Sequence, residues 1–334
     1  MKHLLLLALL GTPAALLTAQ TGQTVIDRAQ QPSAPSLPSA QSPVSVAPGD
    51  ADAGNQRIAE PRTLPFKLYV AYDAQLYYTD NVNLVPSNVH ADYAVIFANT
   101  LATRAEFRSW ATGDGLLTPS IGFNYQRFYH GIGSKDHESL NFDSYSVPLS
   151  LRYRFGANWE ATLGFASSSI YRLEGSPDYH LIFRSYTPSL ALRKLVGLGE
   201  NQILNIGGGL SYSFTKADRD GIPSIFSFRE DRNDKVDVST DVAYYYLHGK
   251  WVVGPYARLS YSDYSHYQEG AFSDVDRRDL TGSAGLSVSY NITSWSSARV
   301  FTSYDWRNPQ GDSPVDYSYR TTNAGFGVIL NASF

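Results

Sequence analysis

The 334-residue chain contains no cysteine. That excludes a disulfide scaffold, a thiolate nucleophile, cysteine-based zinc and iron–sulfur sites and a lipid-modified N-terminal cysteine. Charge is also scarce, at 17% of residues, against about 25% in an ordinary soluble domain. The net charge of −4 leaves no basic footprint for nucleic acid. Long apolar runs are missing too. The longest, Leu4 to Leu10, falls far short of the ~20 residues that carry a helix across a bilayer. No His-Glu-x-x-His, phosphate-binding loop, dinucleotide fingerprint or Gly-x-Ser-x-Gly elbow occurs. No cofactor, metal ligand or catalytic residue is therefore assigned. What the chain has in quantity is aromatic residues, 13% of the total with 24 tyrosines. A Tyr- and Ser-rich, charge-poor surface suits surroundings other than water.

The N-terminus suggests export. Met1-Lys2-His3 is a short basic start, Leu4 to Leu10 an apolar stretch, and Gly11-Thr12-Pro13 opens a run of mostly small residues reaching Ala19. This is the layout of a secretory signal peptide over 1–19. Residues 20–65 are rich in Pro, Ser, Ala and Gln and free of aromatics. They cannot bury enough apolar surface to offset the entropy of ordering, so a disordered arm in the periplasm is expected.

From Phe66 to Phe334 apolar and polar residues alternate with period two between turn signals. Ala324, Phe326, Val328, Leu330, Ala332 and Phe334 share one face, and Asn323, Gly325, Gly327, Ile329 and Asn331 the other. Segments 203–215 and 280–290 repeat the pattern. A soluble sandwich also alternates, so three other features decide. Twelve candidate strands can be drawn: 66–79, 93–107, 116–129, 143–155, 159–172, 181–195, 202–216, 235–248, 251–265, 277–290, 297–307 and 316–334. They match the ~9–11 residues a tilted strand needs to cross a bilayer and exceed the ~5–6 typical of soluble strands. Their connectors alternate long and short, as in a barrel with long outer loops and short periplasmic turns. Trp110, Trp159, Trp251 and Trp295 lie beside short connectors. Tyr78, Tyr129, Tyr145, Tyr171, Tyr261, Tyr264, Tyr304 and Tyr317 lie toward the long ones. Two aromatic girdles are expected where lipid meets water. The fold class is thus all-β, a transmembrane antiparallel up-and-down barrel of about twelve strands over 66–334. An even number returns both termini to the periplasm.

Two segments carry a resemblance. The ending NAGFGVILNASF resembles the C-terminal strand that Gram-negative barrel-assembly machinery recognises, through Phe334 and the alternate apolar residues Phe326, Val328 and Leu330. The segment LYVAYDAQLYYTDNVNL resembles the first strand of the Gram-negative β-barrel porin families, which often carry a Tyr-x-Asp-Asn-Val-like turn there; here it reads Tyr78-Thr79-Asp80-Asn81-Val82. The resemblance implies an outer-membrane, porin-like protein, with outer-membrane lipid, lipopolysaccharide and the assembly machinery as partners. It leaves the substrate and the oligomeric state open.

The alternation sends Lys67, Asp73, Arg104, Glu106, Arg152, Arg154, Glu160, Arg193, Asp237, Asp241, Arg258, Arg299 and Asp305 toward the lumen. Small residues such as Gly122, Ser150, Gly164, Ser168, Gly209, Ser260, Ser287 and Ser303 share that face. Eight strands make a filled barrel and sixteen to eighteen a channel, so twelve allow either internal ion pairs that plug the lumen or a narrow polar conduit. The leading expectation is a passive conduit for small polar solutes. Fifteen acidic against four basic residues in the long loops suggest a weak cation preference, because a mouth lined by one sign concentrates counter-ions. Asp231, Asp234, Asp274 and Asp276 belong to that set. The alternatives are a closed barrel serving as an anchor or interaction platform, and an outer-membrane hydrolase. For the last, Ser265-His266 and the rim residues His90, His130, His137, His180 and His266 with Asp80, Asp92, Asp136 and Asp178 offer the residue types, without a defined third partner. The apolar stretch Ile222 to Phe228 in the longest connector reads either as local packing or as a lid over the mouth.

Overall fold

The computed structural model describes residues 65–86, 90–130, 132, 135–173, 179–218, 229–266, 276–310 and 318–334. The signal peptide, the arm up to residue 64 and the stretch Ile222 to Phe228 lie outside the described residues. So do Tyr317, Asp178 and Asp274, and the side chain of Asp136.

Thirteen strands form: β1 (Phe66–Thr79), β2 (Ala94–Phe107), β3 (Trp110–Thr112), β4 (Gly115–His130), β5 (Phe142–Phe155), β6 (Trp159–Leu173), β7 (Tyr179–Gly199), β8 (Gln202–Ala217), β9 (Lys235–His248), β10 (Trp251–Tyr264), β11 (Arg278–Asn291), β12 (Ser296–Pro309) and β13 (Tyr319–Ser333). A 3₁₀ turn, Lys135–Leu140, precedes β5. β3 is a three-residue stub folded back on the start of β4, so the wall has twelve strands. Each pairs antiparallel with its neighbours in chain order, and β1 pairs with β13. The chain ends complete that seam. Leu68 N–H donates to the Phe334 carbonyl at 3.0 Å, and Phe334 N–H returns a bond to Leu68 at 2.9 Å. Closure pairs both edges of every one of the twelve wall strands, which is the condition for a sheet in lipid. The boundaries expected from sequence hold to within a few residues.

The short connectors turn tightly. Gly113, Gly156 and Gly249 adopt positive φ, a region open to glycine at no steric cost. This makes hairpins of two to a few residues possible.

The register separates two faces. Outward, Leu163, Leu190, Leu210, Phe214, Val300 and Phe326 are all exposed. A continuous apolar ring of that kind is solvated by lipid rather than water. Trp110, Trp251 and Trp295 are exposed at the short-turn end, and Trp159 lies under the Lys194 ammonium, 4.8 Å from its ring centre. At the long-loop end Tyr78, Tyr129, Tyr261 and Tyr304 face outward and are exposed. Tyr264 departs from this girdle. It stands opposite Lys235, its ring lies 4.2 Å from the Arg277 guanidinium, and it is buried, because its even-numbered position in β10 belongs to the inner face.

Candidate functional site: the barrel interior

The interior has three zones. At the long-loop end, on the side of β1 to β8, it is apolar. Ile96, Phe142, Ile170 and Phe183 point inward and are buried together with Val82 and Leu140, which come from the connectors after β1 and β4. Phe128 stacks on Phe142 with ring centres 4.6 Å apart. The Asp80-Asn81-Val82 turn builds this cap. Asp80 Oδ1 accepts the Thr322 N–H at 2.7 Å. The Asn81 side chain accepts the Val85 N–H at 2.9 Å and donates to the Arg320 carbonyl at 3.0 Å. The chain is thereby bent back over the lumen and Val82 fully buried. His130, read from sequence as a rim residue, is instead buried beside the Phe142 ring, 6.0 Å between centres.

Beside this cap, a polar cavity of about 420 Å³ runs from mid-lumen to the long-loop end. Serines line it from successive strands, among them Ser146, Ser168, Ser211, Ser239 and Ser260. The adjoining wall, from β9 to β12, is charged. Arg277 holds Asp279 through two bonds of 2.9 and 2.7 Å, both side chains buried. Arg307 lies 4.0 Å from the other Asp279 oxygen. Lys235 pairs with Asp237 at 3.2 Å, and the Ser262 hydroxyl donates to Asp237. Asn323 donates to Asp305 at 2.7 Å.

Toward the short turns the lumen carries a relay of ion pairs. Glu106 accepts from Arg152 at 2.8 Å and lies 3.3 Å from Arg104. Glu160 lies 3.0 Å from Arg154 and 3.7 Å from Arg152. Arg152 on β5 reaches Glu106 on β2 across β4, where only Ser120 and Thr118 stand in register. On the other side of β2, Arg299 on β12 reaches Asp73 on β1 at 2.8 Å. It crosses β13 at Gly327, where a Cβ would meet the Ala74 carbonyl at 2.9 Å.

All thirteen inward residues named from sequence occupy inner-face register positions. Glu106, Arg104, Arg152, Arg154 and Glu160 come together as one network, and Asp73 with Arg299 as another. Lys67 stands opposite Glu106 and Asp241 opposite Arg258 without an ion pair among the described residues. Arg193 stands opposite Gly207 and Glu160. Lys235, Arg277, Asp279 and Arg307 were overlooked. Two-residue steps from Asp237, Ser283 and Asp305 would have found them. The apolar cap was also overlooked, although Ala94 to Ala98 reads Ala-Val-Ile-Phe-Ala, apolar on both faces instead of alternating.

Among the described residues, the rim side chains named for hydrolysis do not come together as a Ser-His-Asp or His-Asp cluster. The Ser265 hydroxyl lies 3.4 Å from the Tyr212 hydroxyl. His180 meets Asp218 at 2.8 Å, both half-exposed. Among the described residues no three His, Asp or Glu side chains gather as metal ligands. The acidic rim is partly neutralised. Asp234 accepts the Thr215 N–H and hydroxyl, Asp276 pairs with Arg278 at 2.9 Å, and Asp231 pairs with Arg229 at 2.8 Å. The hydrogen bonds from Arg229 hold the Asp231 carboxyl below its ordinary range.

No family model matches the chain, and no curated protein matches its sequence. Among solved structures it resembles an outer-membrane channel from Pseudomonas putida F1, at 14% identity and a TM-score of 0.48, covering 86% of this chain and 100% of that one. It also resembles the KdgM porin solved with disordered oligogalacturonate, at 14% identity and 0.38, covering 78% and 98%. A third is the translocator domain of the autotransporter NalP from Neisseria meningitidis, at 13% identity and 0.40, covering 81% and 90%. At such identities and scores the likeness stops at the barrel architecture.

Proposed function

We propose that the protein is a porin-like barrel of the Gram-negative outer membrane and gives passive passage to small polar solutes. The observation that carries this reading is the polar cavity of about 420 Å³ inside a closed wall whose outside is apolar. A buried lumen lined with serine and charge has no use as a hydrophobic core. Its unpaired hydroxyls, such as those of Ser287 and Ser289, are the kind of group that ordered water satisfies. In this reading the short turns and the N-terminal arm face the periplasm and the Tyr-rich end meets lipopolysaccharide. Phe326, Val328, Leu330 and Phe334 form the strand signature offered to the assembly machinery. The preference is weakly for cations. The loops are acidic, but many of their carboxylates are already paired, and screening beyond ~8 Å at physiological salt limits the rest. Recordings from purified, folded barrel in planar bilayers test this. Discrete conductance steps with a small cation-selective reversal potential are expected, and a persistently silent bilayer would overturn it. One observation favours the second reading, a closed anchor: the apolar cap occupies part of the outer lumen. A silent wild-type barrel that retains its fold would support that alternative.

A further inference from the structure

We infer that the central cavity is a binding site for a neutral, polyhydroxylated solute of one or two sugar rings, an inference that rests on the conduit reading above. Four observations lead there. First, six consecutive strands present a hydroxyl band to the cavity: Ser146, Ser168, Ser185, Ser211, Ser239 and Ser260. Each hydroxyl donates once, accepts twice and rotates freely, so the band exchanges hydrogen bonds with solute hydroxyls in many orientations.

Second, the wall that overlaps and continues this band, from β9 round to β12, is charged yet compensated. Lys235 is matched with Asp237 at 3.2 Å and Arg277 with Asp279 at 2.7 Å. Such a wall offers strong donors beside strong acceptors with little net field. An ion entering it loses hydration without meeting an uncompensated counter-charge. A vicinal diol fits better, because each of its hydroxyls both donates and accepts, and can bridge a guanidinium and its neighbouring carboxylate.

Third, one acceptor on that wall is left over. Asp279 Oδ1 is buried and makes no hydrogen bond, since Arg307 at 4.0 Å is beyond bonding distance. A buried carboxylate oxygen without a donor costs stability, so the wall holds an acceptor that the protein's own groups leave unsatisfied. Fourth, about 420 Å³ lies toward the lower end of the ~300–1,000 Å³ of small-molecule sites. Arg258 is the exception to the compensation. It lines the cavity and is exposed there without an ion pair among the described residues, so an acidic sugar is the competing occupant that the experiment must separate.

The test is block of open-channel current by three probes: maltose, maltobionate (the same size with a carboxylate) and a polyethylene glycol of equal hydrodynamic size. Ether oxygens accept hydrogen bonds and cannot donate them. Maltose should block saturably, polyethylene glycol should only lower the current in proportion to concentration, and maltobionate should bind no tighter than maltose. The variant S211A/S239A/S260A should raise the half-blocking maltose concentration about tenfold or more, since each lost hydrogen bond weakens binding several-fold. Maltose behaving like polyethylene glycol would overturn the site while leaving the conduit intact, as would an unchanged blocking concentration in the triple variant. Maltobionate binding at least tenfold tighter than maltose would overturn the neutral assignment in favour of Arg258. Calorimetric titration of maltose into the detergent-folded barrel separates the two claims. Saturable heat from a barrel that conducts nothing removes the conduit and keeps the site, and absent heat overturns the site.

Discussion

Replacing Phe142 by alanine tests whether the apolar cap is both core and obstruction. The ring is fully buried and stacks on Phe128 at 4.6 Å, with Ile96, Ile170 and Phe183 in the same cluster. Truncating a buried Phe removes its transfer energy and leaves a cavity that neighbours refill only in part, at about 3–5 kcal/mol. Because the cluster closes around Val82 and Leu140, which the preceding connectors insert, the loss falls on the contact that holds those connectors over the lumen. F142A should therefore unfold at lower urea concentration from lipid vesicles, by an amount equivalent to several kcal/mol. It should also show larger or noisier conductance steps. Stability lost with conductance unchanged would mean that the cap lies beside the path. An unchanged urea midpoint would refute the packing argument itself.

Other perturbations follow from the same geometry. E106Q leaves Arg104 and Arg152 without the carboxylate that lies within 3.3 Å of both, so the reversal potential should move toward anions; no shift would place the relay outside the ion path. G282A drives a Cβ into the Trp306 ring on the outer face. The indole must move, at about 1–3 kcal/mol, visible as a changed tryptophan emission and a lower urea midpoint. Asp231 is held below the ordinary carboxylate value of 3.8 by Arg229. Its contribution is therefore present above that value and is lost only as pH falls through the lower folded-state value. Limited proteolysis of the rim should thus stay unchanged down to about pH 4, while D231N should be cut faster at neutral pH. Neutral-pH resistance in D231N would remove any role for the pair in ordering the rim.

The barrel was legible because lipid enforces a strict rule. A wall strand must show apolar residues outward at every second position, and a one-residue slip reverses all of them. Val300, Phe326 and Leu210 obeyed it. The same parity carried Glu106, Arg152, Asp73 and Arg299 to the inner face, but it could not say which would touch. Arg299 reaches Asp73 because Gly327 intervenes, a relation between residues 226 positions apart. The cap was illegible for a different reason. Ile96 and Phe142 are inward and apolar, and they depend on two connectors folding back into the lumen. Only Asn81, in a motif seen as a resemblance, marked the first of those bends. Tyr264 was misplaced because a tyrosine near a long loop reads as a girdle residue unless its parity is followed.

The absence of native cysteine allows the central claim to be tested directly, because any introduced thiol is the only one in the chain. Ser239 and Ser260 face the cavity, whereas their neighbours Val238 and Leu259 face outward and are exposed. During single-channel recording, a charged, membrane-impermeant thiol reagent should react with S239C and S260C and lower the conductance in a step. V238C and L259C should be untouched by it and react only with a lipid-soluble maleimide. Reaction of the outward pair with the charged reagent, or inward thiols that are inert in a folded and conducting barrel, would contradict a polar conduit through this lumen.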